Sequence, residues 1–344
     1  MAEALPLVTI VVLNYNGEKM LPRFFPSVLQ IRYPNKEFLV LDGGSKDRSL
    51  EYLSRFATVR VIDQGTIPGA GHAMNLAIHE AKSNLILFLA NDMQPDPDIL
   101  SFLVPPMVSD KNVAICAPKI LSVLSNGGPS DTIDHVGLAL DRFGFPKPIG
   151  LGEHDCGQYD HLRTTWFVGN EALFQKEAFE KVSGVDETYT VMAEDIDFCW
   201  RVKLLGYKIL LEPRAIVYHN DPLEHETTTK RFGRRRIRYY AERNVQRMLV
   251  KNYSTMTLVR LVPAYAGLFF SQAAFFLAAR RLDLFTADFR ALVNNIAGFR
   301  QIWKQHMQVQ QMRTISDDII LSSMNPKSYK FEILRVLMKS VRKR

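Results

Sequence analysis

Residues 85–90, Leu-Ile-Leu-Phe-Leu-Ala, form an uncharged apolar run that stops at Asn91-Asp92, with Pro95 and Pro97 close behind. A run this short and uniformly apolar predicts a strand buried on both faces of a sheet. The two prolines cannot continue its ladder. The chain thus puts a carboxylate, Asp92, at the carboxyl end of an interior strand, where open α/β sheets bind their ligands. Taken singly, an Asp after a strand is most often a turn cap. Its meaning depends on what else the fold brings there.

Earlier segments repeat the pattern. Residues 8–13, 38–41 and 59–62 are further short apolar runs, the first two ended by Asn14-Tyr-Asn-Gly17 and Asp42-Gly-Gly-Ser45. Between them, Met20, Leu21, Phe24, Phe25, Val28 and Leu29 recur at helical spacing, Asp47 is placed to cap a second helix, and residues 71–81 read as a third. Strand and helix alternating at this pitch predict βαβ units: an α/β fold with a mostly parallel central sheet flanked by helices. A helix after Pro97 leads to a strand near residues 113–116. Residues 122–164, rich in Gly, Pro and Asp, are expected to be a long irregular region. Helical spacing returns at Glu194 and closes at Gly206, two short strands follow at 208–211 and 215–218, and His219 sits just beyond them.

The chain of 344 residues is long enough for a sizeable core, and its 47% apolar content excludes general disorder. Its three cysteines, Cys116, Cys156 and Cys199, are odd in number and widely spaced, which suggests neither a disulfide framework nor a zinc site and favours a reducing compartment. The first apolar run lacks a basic flank and is too short for a signal sequence, so the catalytic part is expected in the cytoplasm. The net charge of +7 is unevenly placed: Lys230, Arg231, Arg234, Arg235, Arg236, Arg238, Arg243, Arg247 and Lys251 face one acid, Glu242. Residues 261–279 then carry no charge and lie at the lower limit for a spanning helix, weakened by Pro263, Ser271 and Gln272. Residues 282–302 look amphipathic. A basic helix beside a long apolar segment fits an anionic membrane surface better than nucleic acid. The expected organisation is a catalytic domain over 1–225, a basic helical segment over 226–252 and a helical, membrane-associated region over 253–344.

Several groups carry chemistry at predicted element ends. Glu194-Asp195-Ile-Asp197 places three acids at a helix start, His219 ends the last strand, and Asp42-Gly-Gly-Ser45 ends the second. In order along the chain stand Asp42-Gly-Gly-Ser-Lys-Asp-Arg-Ser49, Leu87-Phe-Leu-Ala-Asn-Asp92, Gly184-Val-Asp-Glu187 with Glu194-Asp-Ile-Asp-Phe-Cys-Trp-Arg201, then Gly206-Tyr and Ala215-Ile-Val-Tyr-His219.

This series resembles the family 2 glycosyltransferases, particularly the rhamnosyltransferase-like branch that builds cell-surface glycans, and it extends over residues 8–219. The resemblance implies a GT-A fold that takes a nucleoside-diphosphate sugar, of UDP or dTDP type, and a divalent cation, Mg²⁺ or Mn²⁺. It implies Asp92 and His219 as metal ligands and Asp195 as the base that deprotonates an acceptor hydroxyl for an inverting displacement. Leu13, Tyr15, Asp42, Ser45, Gly71, Asn75, Asn91 and Asp92 are the expected donor-binding residues, with Tyr15 stacking on the base and Asp42 accepting from a ring N–H. Trp166, Gly169, Asn170, Glu194 and Asp197 are expected to support the site or touch the acceptor, as are Asp186 and Glu187 in their loop. The acceptor implied is a glycan or a polyprenyl-linked lipid at the cytoplasmic face of the cell membrane.

Three departures from the pattern stand out. The metal motif reads Ala-Asn-Asp, which guarantees one carboxylate. Met74 occupies the place of a basic residue before Asn75. No Gln-x-x-Arg-Trp follows Arg201, which speaks against a processive synthase. The competing readings are a nicotinamide-dependent oxidoreductase, whose G-x-G-x-x-G Gly69-Ala-Gly71 does not complete, and a nucleotide-sugar-binding protein without transferase activity.

Overall fold

The computed structural model describes residues 5–66, 69–124, 126–166, 171–220 and 233–331. Strands β1 (Val8–Asn14), β2 (Lys36–Asp42), β3 (Val59–Asp63) and β4 (Leu85–Ala90) alternate with helices α1 (Leu21–Leu29), α2 (Ser49–Leu53) and α3 (Ala70–Glu80). They form the parallel half of a nine-stranded sheet in the order β3-β2-β1-β4. The sheet continues through β10 (Leu173–Gln175), β6 (Val113–Val123), β11 (Lys208–His219) and β5 (Met93–Pro95), with β7 (Pro129–His135) paired to β6. β10 is antiparallel to both its neighbours, whereas β11 runs parallel to β6. The chain leaves β1 toward β2 and returns to its other side at β4. The carboxyl ends of β1 and β4 therefore flank a switch point, the usual ligand crevice of such sheets.

The alternating apolar residues explain this sheet. Leu85, Leu87 and Leu89 face one core with α1, α2 and helix α4 (Ile99–Ser109), while Ile86 and Phe88 face the other with α3, α5 (Lys176–Lys181) and α6 (Glu194–Leu204). Both faces are covered, so the run is continuously apolar.

The region expected to be irregular holds more order than its composition suggested. It contains β7 and a small two-stranded sheet, β8 (Leu138–Leu140) with β9 (Pro146–Pro148). The two strands expected at 208–211 and 215–218 are one, β11, with a register shift between Glu212 and Ile216, and His219 is its last residue. Local patterning reads the shift as a break because the residues there do not alternate.

A third core ties the carboxyl-terminal helices to the rest. Trp166, Ile196, Trp200 and Leu204 pack with Val245 and Met248 of the basic helix Arg234–Asn252, with Tyr253 just after it, and with Val309, Ile320 and Met324 farther on. At its centre is a buried ion cluster. The Lys251 ammonium donates to Asp197 Oδ2 and Asp186 Oδ2, both at 2.7 Å, and Arg201 Nε donates to Asp197 at 3.0 Å. Asn252 Nδ2 donates to the other Asp197 oxygen at 2.9 Å. Burial by itself would raise the Asp186 pKa; the ammonium outweighs it and holds the carboxyl well below the usual carboxylate range. The basic run is therefore not one solvated face: Lys251 points inward, and Arg238 pairs with Glu242 and Asp288.

Removing one partner of a buried ion cluster strands the others in a poorly solvating interior. Lys251→Met is expected to cost about 3–5 kcal/mol, read as a lowered midpoint in guanidinium unfolding. An unchanged midpoint would mean that Asp186 and Asp197 find other cations.

Candidate active site

Side chains at the carboxyl ends of β4, β1 and β2 join hands across the strands. Asn91 Nδ2 donates to Asn14 Oδ1 at 2.7 Å, and Asn14 Nδ2 donates to Asp42 Oδ2 at 2.7 Å. Ser45 donates from Oγ to Asp42 Oδ2 at 2.6 Å and from its backbone N–H to Oδ1 at 2.8 Å. This tight packing requires two glycines. A Cβ on Gly17 would lie 2.1 Å from Asn14 Oδ1 and 2.5 Å from Asn91 Nδ2. Gly44 has φ +75°, and a Cβ there would fall 1.4 Å from the Gly65 carbonyl oxygen.

The arrangement revises two expectations. Asp42 is fully buried and both its oxygens serve the turn, so the surface it offers to a base is filled by Asn14 and Ser45. Asn91 spends its amide on Asn14. An aspartate at 91 would face Asn14 Oδ1, or Asn14 would have to give up Asp42. Leu13 packs half-buried beside this network, and Tyr15 stands exposed at its rim.

The second corner forms where β5 pairs with β11, in a register that sets His219 opposite Met93. His219 Nε2 faces Asp92 Oδ2 at 3.8 Å, and its Nδ1 lies 2.7 Å from Asp134 Oδ2. A carboxylate only accepts, so Nδ1 donates to Asp134, which fixes the ring with its Nε2 edge turned toward Asp92. That is the carboxylate–histidine relay by which metal-binding imidazoles are oriented. Two ligands each about 2.0–2.2 Å from one ion stand roughly 3–4 Å apart, so the Asp92–His219 pair fits a divalent cation. Among the described residues no three His, Cys, Asp or Glu side chains converge as a metal cage. Asp134 was invisible in the sequence, lying in the Gly- and Asp-rich stretch taken as irregular.

The third corner is the start of α6. Met192 and Ala193 just before it adopt φ of 71° and 66°, a conformation costing about 1–3 kcal/mol per non-glycine residue. The buried amide of Asn244, on the basic helix, holds them by donating to the carbonyls of Val191 and Met192, both at 2.8 Å. The strained turn presents Glu194 and Asp195. Burial raises the Glu194 pKa to about 7. It raises Asp195 well above the usual range, helped by the like charges of Glu194 and Glu171, although the Ile196 N–H donates to Asp195 Oδ1 at 2.7 Å. Glu194 Oε2 is buried without a hydrogen-bond partner among the described residues. Glu171 is itself 3.3 Å from His135 Nε2. Adjacent residues of β7, Asp134 and His135, thus tie the metal corner to the acid corner.

Other expected site residues have structural duties. Asn75 holds the loop before α6, donating to the Val185 carbonyl and Glu187 and accepting from the Val185 N–H. Gly71 lets α3 approach that loop, since a Cβ would meet Val185 Cγ1 at 2.7 Å. Met74 is buried in the core, so no phosphate contact arises there. Asp186, expected in an acceptor loop, is locked to Lys251, and Asp197 supports α6 from inside. Trp166, expected to support the site or touch the acceptor, is buried: it packs edge-on against Trp200 and donates to the Ser323 carbonyl. Gly169 and Asn170 lie outside the described residues.

Comparison with known proteins gives this geometry a family. The model of glycosyl transferase family 2 matches residues 9–182, and that of glycosyl transferase family group 2 matches residues 152–299. The pre-mycofactocin glycosyltransferase of Mycobacterium tuberculosis is 25% identical over 215 residues, 62% of this chain and 42% of that protein. The O-antigen chain rhamnosyltransferase of Salmonella typhimurium is 24% identical over 219 residues, 62% of this chain and 66% of that one. The poly-β-1,6-N-acetyl-D-glucosamine synthase of Staphylococcus epidermidis is 24% identical over 216 residues, 61% and 49% of the two. The chain thus spans about half the length of the curated relatives it matches. Among solved structures, GalNAc-T7 with UDP, GalNAc and Mn²⁺ superposes with a TM-score of 0.60 at 18% identity, over 74% of this chain and 49% of that one. A mannosyltransferase from Pyrobaculum calidifontis, in complex with GDP-Man and Mn²⁺, gives 0.51 at 16%, over 86% and 76%. These structures share the GT-A fold. With the family model spanning β1 to α5, half of the chain, the chain belongs to glycosyl transferase family 2.

Proposed function

We propose that this chain is an inverting, metal-dependent glycosyltransferase that moves a sugar from a nucleoside-diphosphate donor to a hydroxyl of a glycan or lipid-linked acceptor at the cytoplasmic membrane face. The observation that carries the proposal is the pairing of Asp92 with an Asp134-oriented His219 at 3.8 Å, in a family 2 fold. The Mn²⁺ and nucleotides bound by the two fold neighbours support an ion and a diphosphate donor here. Names of the relatives, an O-antigen rhamnosyltransferase and a polysaccharide synthase, support a cell-surface glycan as the product.

In this reading Asp92 and His219 hold the cation, which when bound offsets the charge gathering on the departing diphosphate. Phosphate oxygens of the donor would supply further ligands to Mg²⁺, while an imidazole ligand would suit Mn²⁺. Tyr15 and the Asn14–Asp42–Ser45 turn frame the base of a UDP- or dTDP-type donor. Asp195 takes the proton of the acceptor hydroxyl as its oxygen bonds to the anomeric carbon. The bond from that carbon to the diphosphate breaks on the opposite side, inverting the configuration. A base whose pKa burial raises suits this step, and a positioned base contributes about 10²–10⁴-fold.

Asp195→Asn is expected to abolish transfer while donor binding with metal survives; Asp92→Ala is expected to weaken that binding. A donor screen with Mn²⁺, read by nucleoside diphosphate release, tests both, and turnover by Asp195→Asn would remove it as the base. Asp134→Asn frees the imidazole to rotate and is expected to weaken Mn²⁺ binding about 10–100-fold, measured by calorimetry without acceptor; unchanged affinity would discount the relay.

The acid corner gives a pH prediction. Transfer needs ionised Asp195, so the rate rises as pH climbs through its raised pKa. Glu194→Gln removes a like charge, lowers that pKa and moves the acidic limb of kcat/KM to lower pH. A limb that stays put would detach Glu194 from the base.

A further inference from the structure

The apolar helix Thr255–Ala278 is long and apolar enough to cross a membrane, yet only 22% of its most apolar window is buried inside the protein. Met256, Val259, Val262, Phe270 and Leu277 stand exposed along it, and Val293, Ile296 and Phe299 of the helices that follow extend the same kind of surface. Its other side is fixed to a charged interior. Gln272 donates to Asp288, which also receives Arg238 Nε at 2.8 Å; Arg238 and Lys330 both donate to Glu242 at 2.6 Å.

That interior decides the orientation. The helix Leu282–Ala297 turns back beside the apolar helix, and the basic helix Arg234–Asn252 packs against Leu282–Ala297. A perpendicular span would carry these companions, with Arg238, Glu242, Asp288 and Arg290, into hydrocarbon, where each charge is costly. Lying in the interface plane, the apolar helix buries its outer face and leaves the charged helices on the water side.

We propose that the outer face of residues 255–299 is a monotopic docking surface for an anionic lipid bilayer, lying in its plane and not crossing it. This deepens the membrane-face reading above, and it commits to lipid because of charge. Arg235, Arg236, Arg260, Arg290 and Arg300 are exposed around the apolar face, whereas the exposed acid among the described residues 253–312 is Asp283, already paired with Arg281. Anionic headgroups complement this rim; a second copy of the chain would meet it with the same sign. A groove of about 360 Å³ opens between the apolar helix and its neighbours, lined by Phe143, Leu261, Tyr265, Phe270, Ile296 and Phe299. It offers an isoprenoid or acyl chain a dry slot beside the surface.

The test uses full-length protein and vesicles without any glycan acceptor, so it stands apart from the transfer reaction. The chain is expected to float with vesicles containing phosphatidylglycerol, to bind phosphatidylcholine vesicles about tenfold less, and to be released by alkaline carbonate. Val259→Glu with Phe270→Glu, both on exposed positions, is expected to cut flotation about tenfold or more with an unchanged unfolding midpoint. Arg235→Glu with Arg290→Glu should remove the preference for anionic lipid. Resistance to carbonate would show a span and overturn the proposal. Flotation unaltered by either double variant, or an apolar-face variant that converts a dimer into a monomer, would overturn it as well.

Discussion

The arrangement of the molecule depends on one buried cation. Lys251 sits between Asp186 and Asp197, and through them it fastens the carboxyl-terminal helices to the loop that presents Glu194 and Asp195. Asn244, two turns earlier on the same helix, holds the left-handed pair Met192 and Ala193. A strained turn survives only where its surroundings over-determine it. Here the surroundings are a helix about fifty residues farther along the chain. The helical region thus supports the turn that presents Glu194 and Asp195.

The same logic explains why the site is built from adjoining corners. Amides and a buried carboxylate lock the ends of β4, β1 and β2 into one shape, which leaves Asp92 as the acid at that edge that faces His219. β7, paired antiparallel to β6, offers Asp134 to the histidine and His135 to Glu171. Metal corner and acid corner are therefore fixed relative to each other by two consecutive backbone positions. Burial at the acid corner raises the pKa values of Glu194 and Asp195, the latter helped by the nearby charges of Glu194 and Glu171, a cost in stability.

Much of this was legible before any coordinates. The apolar runs at 8–13, 38–41, 59–62 and 85–90 announced a parallel sheet because a strand buried on both faces must be apolar throughout. The acids at Asp92 and Asp195 and the histidine at 219 were identifiable because each sits where a periodic segment ends. The roles of Trp166 and Asp186 stayed open for the opposite reason. An aromatic or an acid in a loop shows nothing in sequence of what it will touch, and both are consumed by the third core.

The sequence by itself determined the strands of the parallel half and the polar side chains that stand at their ends, since these follow from local patterning within a dozen residues. Tertiary structure alone decided the rest. Asp134 became the partner of His219, Asn14 the hinge between Asn91 and Asp42, and Lys251 an interior cation instead of one more charge in a basic run. Each of those roles depends on contacts between residues 28 to 85 positions apart, and no local period encodes such a distance.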